Sequence, residues 1–134
     1  MAGEVNDYGN VQLSDKLSHN LNIFKEIFKK DSLLRTKEIS SYGRKYALVY
    51  LDGMTDSKLL NDSVVRPLVM IDRDLSSGNF ADNVASMILF AGEVKKTDSV
   101  KSALQAILYG DTLLIIDKSS EMLIINTLLE FIKA

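Results

Sequence analysis

Two aspartates four positions apart, Asp52 and Asp56, close the run Tyr-Ala-Leu-Val-Tyr-Leu-Asp-Gly-Met-Thr-Asp that begins at Tyr46. A strand that carries carboxylates to an exposed turn could hold Mg²⁺, which takes oxygen donors, at the strand end where open α/β sheets place ligands. The same residues have a simpler account. Asp52-Gly53 is a turn pair, and Thr55 or Asp56 is a helix N-cap. Gly110-Asp111 has the same duality, a glycine closing a helix followed by a turn aspartate. Asp52, Gly53, Asp56, Gly110 and Asp111 are therefore the candidate ligand or partner contacts, with local folding as the stronger reading. No residue is assigned as catalytic, cofactor-binding or metal-ligating.

Other chemistries lack their parts. The chain has no cysteine, which closes thiolate catalysis, thiolate metal sites and disulfides together. His19, the one histidine, falls on the polar side of a helix with no second imidazole to work beside. Gly43, Gly53, Gly78, Gly92 and Gly110 stand singly, in neither a Gly-x-Gly-x-x-Gly fingerprint nor a Walker loop. Asn61-Asp62-Ser63 matches a glycosylation acceptor, but no secretory signal precedes it, so it is read as inert. An enzyme would have to draw its nucleophile and base from serines, tyrosines and carboxylates alone. The chain is accordingly expected not to be an enzyme and to need no cofactor.

Composition bounds the rest. At 134 residues, 46% apolar and 25% charged, the chain is long enough for one domain with its own core. A net charge of -2 with dispersed Lys and Arg offers no basic field for nucleic acid. No apolar run approaches the roughly 18 residues of a membrane span, so the chain is expected to be soluble. Residues 1–12 are polar and read as a flexible leader, and 13–134 as a single α/β domain.

The elements that must position these residues follow from periodicity. Leu13, Leu17, Leu21, Phe24 and Phe28 recur at helical spacing, with Ser14 as N-cap. Leu33 to Ile39 reads as a half-exposed edge strand, and Ser40-Ser41-Tyr42-Gly43 turns it into an antiparallel partner. In that partner, Tyr46 to Leu51, both alternating faces are apolar, which marks it for the middle of the sheet. A helix carrying Leu59, Leu60, Val64 and Val65 should kink or end at Arg66, before Pro67. Phe80, Val84, Met87 and Ile88 mark another, opened by Asn79 or a neighbouring serine and ended by Gly92. Glu93 to Thr97 is a short strand, and Asp98 begins a helix through Leu108 closed by Gly110. Thr112 to Asp117 and Glu121 to Asn126 form a second hairpin. The order is α-β-β-α-α-β-α-β-β, an α/β class. Crossover helices together with hairpins predict a mixed parallel and antiparallel sheet with helices packed on it.

Taken in order along the chain, these pieces resemble a known family. Leu13-Ser14 with Asn20-Leu21, the Tyr46–Asp56 run, Leu60-Asn61, Arg66-Pro67-Leu68, Gly92-Glu-Val-Lys and Ala106-Ile-Leu-Tyr-Gly-Asp-Thr-Leu-Leu-Ile-Ile-Asp117 resemble the N-terminal domain of the A subunit of spore germinant receptors, the GerA family. The resemblance covers Leu13 to about Asn126. It implies a soluble region of two α/β subdomains followed by a multi-span membrane domain, working with B and C subunits and further A-subunit copies in the spore inner membrane. It also implies a role in nutrient-triggered germination, with this domain on the cytoplasmic, spore-core side. Leu128 to Ala134 stands where family members continue toward the second subdomain, so the chain is expected to be an excised first subdomain or a natural fragment. The function it implies is a non-enzymatic module of receptor assembly and signal transmission. The alternative is a small-ligand-binding domain with a polar site at strand ends, near Asp52, Asp56 and Asp111.

Overall fold

Five strands form one sheet in the order β1-β2-β4-β5-β3, in a computed structural model that describes residues 5–88 and 92–129. β1 (Leu34–Ser41) and β2 (Arg44–Leu51) are a hairpin. The two residues between them, Tyr42 (φ 48°) and Gly43 (φ 76°), both have the positive φ of a type I′ turn, whose twist matches that of the strands it joins. Ser40 and Ser41, expected in the turn, instead extend the ladder opposite Lys45 and Arg44. β3 (Val94–Thr97), β4 (Thr112–Ile116) and β5 (Met122–Ile125) complete the sheet.

Every pairing is antiparallel, which corrects the expected mixed sheet. The crossover from β3 through α5 (Val100–Tyr109) to β4 does join strands that point the same way. β5 lies between those two strands and is antiparallel to both, so no parallel neighbours arise. The middle position also differs from expectation. β4, every residue of which is buried, is central, while β2 lies between it and edge strand β1.

Helices cover both faces, as two-sided apolar strands require. On one face α1 (Leu17–Ile27) and α5 pack Leu21, Phe24, Leu104 and Ile107 against Ala47, Val49, Leu113 and Ile115. On the other, α2 (Ser57–Leu60), the Asn61–Val65 turn, α3 (Arg66–Val69) and α4 (Phe80–Met87) pack Leu60, Val64, Leu68 and Val84 against Tyr46, Leu48, Leu114 and Ile116. Fully burying side chains of this size stabilises by about 1.5–3 kcal/mol each relative to exposure.

Three local differences have identifiable causes. α1 begins at Leu17 rather than beside Ser14, because the buried Asn20 side chain grips the Ser14 backbone. Its Oδ1 accepts from the Ser14 N–H at 2.9 Å and its Nδ2 donates to the Ser14 carbonyl at 2.8 Å, which holds that segment outside the helix. At Pro67 the helical run does not stop. Asn61–Val65 forms a π turn whose wider bond, from the Arg66 N–H to the Asn61 carbonyl, leads directly into α3, where proline occupies the first turn and has no N–H to satisfy. The expected leader is only partly described, since residues 1–4 lie outside the described residues. Within it Val5–Tyr8 makes a 3₁₀ turn, and Tyr8 and Val11 pack on the α1–α5 core. The C-terminal part of the helix expected to run to Gly92 falls at residues 89–91, and the tail from 130 to 134 follows Leu129; both lie outside the described residues.

Candidate functional site

At the end of the sheet where β2 and β5 finish, the predicted site residues divide into two groups. Asp52 is tied to its own hairpin. Its N–H donates to the Leu33 carbonyl at 2.8 Å, and its carboxylate pairs with Arg35 at 3.2 Å. Both side chains of that pair are about half exposed, so the bond contributes little, typically 0–1 kcal/mol. Gly53, at φ 87° with open space around it, makes the turn. Asp56 caps α2, its Oδ1 accepting the Leu59 N–H at 3.0 Å, as the sequence suggests for that position. Asp52 and Asp56 therefore serve separate local bonds. Among the described residues no group of three or more His, Cys, Asp or Glu could hold a metal ion.

The structure does bring the second pair to this end, through Thr55, which the sequence offers as a cap, and through Thr112 and Thr127, which it does not single out. Thr55 bridges to Leu128, and the Asp56 N–H donates to the Thr127 carbonyl at 2.7 Å. The Gly110 carbonyl accepts from the hydroxyls of Thr127 at 3.4 Å and Thr55 at 3.5 Å, and Thr127 and Thr112 share a 2.7 Å hydrogen bond. All three threonines are buried. Gly110 has φ 110°, and a Cβ there would stand 2.5 Å from Leu128 Cδ1 and 3.4 Å from Met54. This knot joins the β2–α2 turn, the α5–β4 turn and the chain after β5. Closed to solvent, it stabilises the fold and offers no substrate a route in. The sequence signal for it was present as three threonines at strand ends, but threonine is as ordinary in a strand as in a site.

Asp111 lies beside the knot. Its N–H donates to the Ala106 carbonyl at 2.9 Å, and its side chain lines a cleft of about 330 Å³ with Glu93, Lys95, Tyr109, Ile124 and Asn126. Glu93 and Lys95 pair at 3.3 Å, and Asn126 Oδ1 is buried with no hydrogen-bond partner among the described residues.

The opposite end of the sheet carries a comparable lock around Asp117. Its Oδ1 accepts the Leu17 N–H at 3.2 Å and so caps α1 from one hundred residues away in sequence, where Lys16 at the N-cap position supplies no side-chain bond. Its carbonyl accepts from Arg44 Nη1 at 2.7 Å, and the Arg44 guanidinium stacks 3.8 Å above the Phe80 ring. Next to it a cleft of about 170 Å³ is lined by Tyr42, Arg44, Tyr46, Arg73, Asp74 and Lys118 among others. Burial raises the pKa of the Tyr46 phenol, and the Arg44 charge offsets part of that rise. Asp74 is held below the ordinary carboxylate value by hydrogen bonds from Ser76. His19 is exposed, with Nε2 3.4 Å from the Gln12 carbonyl.

Comparison with known proteins accords with this architecture. The family model described as Bacillus/Clostridium GerA spore germination protein matches residues 21–129. The crystal structure of the N-terminal domain of the A subunit of the Bacillus megaterium spore germinant receptor GerK3 is similar to this chain, with a TM-score of 0.74 and 27% identity. The likeness covers 85% of this chain and 47% of that one, so the chain spans about half the length of the solved domain. No curated protein gives a significant match.

Proposed function

The chain belongs to the GerA family of spore germination proteins, and from that premise we propose that it is a non-enzymatic module of a germinant receptor A subunit, contributing to receptor assembly and signal transmission. One observation carries the reading. The turns that give the chain its family character are used up in internal locks. Asp117 caps α1, Asp56 caps α2, and Gly110 anchors the threonine knot. A domain whose distinctive polar residues brace both ends of a sheet is suited to act as a rigid body. Its partners would be other A-subunit copies, the B and C subunits, and a second subdomain of the same parent chain, with the parent in the spore inner membrane and this domain on the spore-core side. Among the described residues no helix is long and apolar enough to cross a membrane. Large apolar side chains are exposed on the surface at Tyr42, Val69 and Met70, and the Ser41 hydroxyl donates to the Val69 carbonyl, so the three share one corner beside edge strand β1. Exposed apolar groups gathered in this way suit a contact surface. The test is to introduce Met70→Glu into the parent gene and measure A-subunit abundance and nutrient-triggered germination in spores. Reduced germination or subunit retention with the isolated domain still folded supports the reading, and unchanged germination for this and a Tyr42→Glu variant opposes it.

A second reading, a small-ligand-binding domain, is favoured by the 330 Å³ cleft, where the unpartnered Asn126 Oδ1 and the Asp111 carboxyl group face a space of ligand size. Amide shifts confined to residues 93–95, 109–111 and 124–126 on titration with nutrients would support it. Their absence at millimolar nutrient would remove it.

A further inference from the structure

The cleft at the Asp117 end of the sheet is rich in donors and short of acceptors. Arg44, Arg73 and Lys118 bring three positive charges to it, and Asp74 is the one carboxylate. Asp74 is already engaged, its Oδ1 accepting the Ser76 N–H at 2.9 Å. The three cations are left without ion-pair partners among the described residues. Arg44 donates to a backbone carbonyl and stacks on Phe80, while Arg73 touches only the Met87 sulfur, at 3.5 Å. Tyr46 lines the same space, and burial raises the pKa of its phenol, so it stays a neutral donor there.

Two hairpin turns meet at this cleft. Two non-glycine residues have positive φ among the described residues, Tyr42 at 48° and Lys118 at 62°, and both line this cleft. Tyr42 owes its φ to the type I′ turn between β1 and β2, and Lys118 lies in the turn between β4 and β5. A glycine would serve either turn better. Lysine at 118 instead places an ammonium at the mouth of a basic cleft.

The geometry points to an oxyanion site here, in which Arg44, Tyr46, Arg73 and Lys118 bind one phosphate group. A guanidinium fixed by stacking, a second that is free to fork, an ammonium and a neutral hydroxyl donor together match the oxygens of a phosphate. The volume of about 170 Å³ accepts a phosphate group and little more. The group could be free phosphate or a lipid headgroup. The cleft shares Tyr42 with the proposed contact corner and lies at the opposite end of the sheet from the cleft beside Asp111.

The experiment follows amide shifts of the 134-residue chain in two arms, with inorganic phosphate and with vesicles of phosphatidylglycerol, using phosphatidylcholine vesicles as the reference. The expected result is saturable perturbation confined to residues 41–46, 71–76 and 117–118, in at least one arm, and the arm that produces it identifies the source. Arg73→Gln and Tyr46→Phe should each weaken the apparent affinity by about fivefold. Lys118→Gly separates the site from the fold, because it relieves the backbone and removes the charge, so it should raise the melting temperature while weakening binding. No saturable shift in either arm, or shifts unaltered by Arg73→Gln and Tyr46→Phe, would overturn the assignment.

Discussion

Replacing Gly110 by alanine tests the threonine knot, and its cost can be worked from two separate terms. At φ 110° an alanine loses the conformational freedom that glycine has, a strain of about 1–3 kcal/mol. The new Cβ would also stand 2.5 Å from Leu128 Cδ1, so the buried Leu128 must turn or shift, and crowding a closed core costs about 1–3 kcal/mol. The sum is about 2–6 kcal/mol, a large share of the 5–15 kcal/mol typical of a domain. In urea, with a slope near 2 kcal/mol/M, the midpoint should fall by about 1–3 M. Gly53→Ala is the control, since φ is 87° there but nothing lies within 4 Å, so only the backbone term of about 1–2 kcal/mol applies. The difference between the two variants isolates the contact with Leu128. Truncating Leu128 to alanine makes room for the new methyl, so Gly110→Ala and Leu128→Ala together should cost at least about 1 kcal/mol less than their sum. If Gly110→Ala proved no worse than Gly53→Ala and the cycle gave no coupling, the close approach at Gly110 would not matter and the reasoning would fail.

Three further outcomes follow from the same contacts. Asp117→Ala should lower stability by about 1 kcal/mol through loss of the α1 cap, and faster amide exchange should appear first in the opening turn of α1. Thr127→Val leaves the buried Thr112 hydroxyl without its partner and should cost about 1–3 kcal/mol in urea unfolding, whereas adding Thr112→Val should restore part of that loss. Asp74 titrates below its ordinary value of 3.8 because hydrogen bonds from Ser76 favour the carboxylate. Its contribution to stability is therefore complete above that value and is lost as pH falls through the lowered folded pKa. Ser76→Ala should move the Asp74 carboxyl resonance midpoint upward in an acid titration.

The sequence made much of this legible where one residue type has one use. Gly110 reads as a helix terminator because few other residues tolerate its φ, and a cap at Thr55 or Asp56 is legible because its bond is local, the structure choosing Asp56. β2 reads as covered on both faces from its unbroken apolar run, which is what the two cores show. What escaped the reading depends on contacts distant in sequence. Nothing near Leu17 indicates that Asp117 caps it, and no local pattern in β5 tells that it will insert between β3 and β4 and make the sheet wholly antiparallel. β4 is shorter than β2, yet every one of its residues is buried and it holds the central position. The basic cleft escaped for the same reason, since Arg44, Arg73 and Lys118 are scattered along the chain and meet only in the fold.

The most direct test of the central claim compares Asp52→Ala with Gly110→Ala in spores, measuring A-subunit abundance alongside nutrient-triggered germination. Asp52 makes only an exposed ion pair, so its loss should leave both unchanged, while Gly110→Ala should lower subunit abundance and germination in proportion. A stable Asp52→Ala receptor, present at normal abundance but unresponsive to nutrient, would contradict the account and restore that turn as a working site.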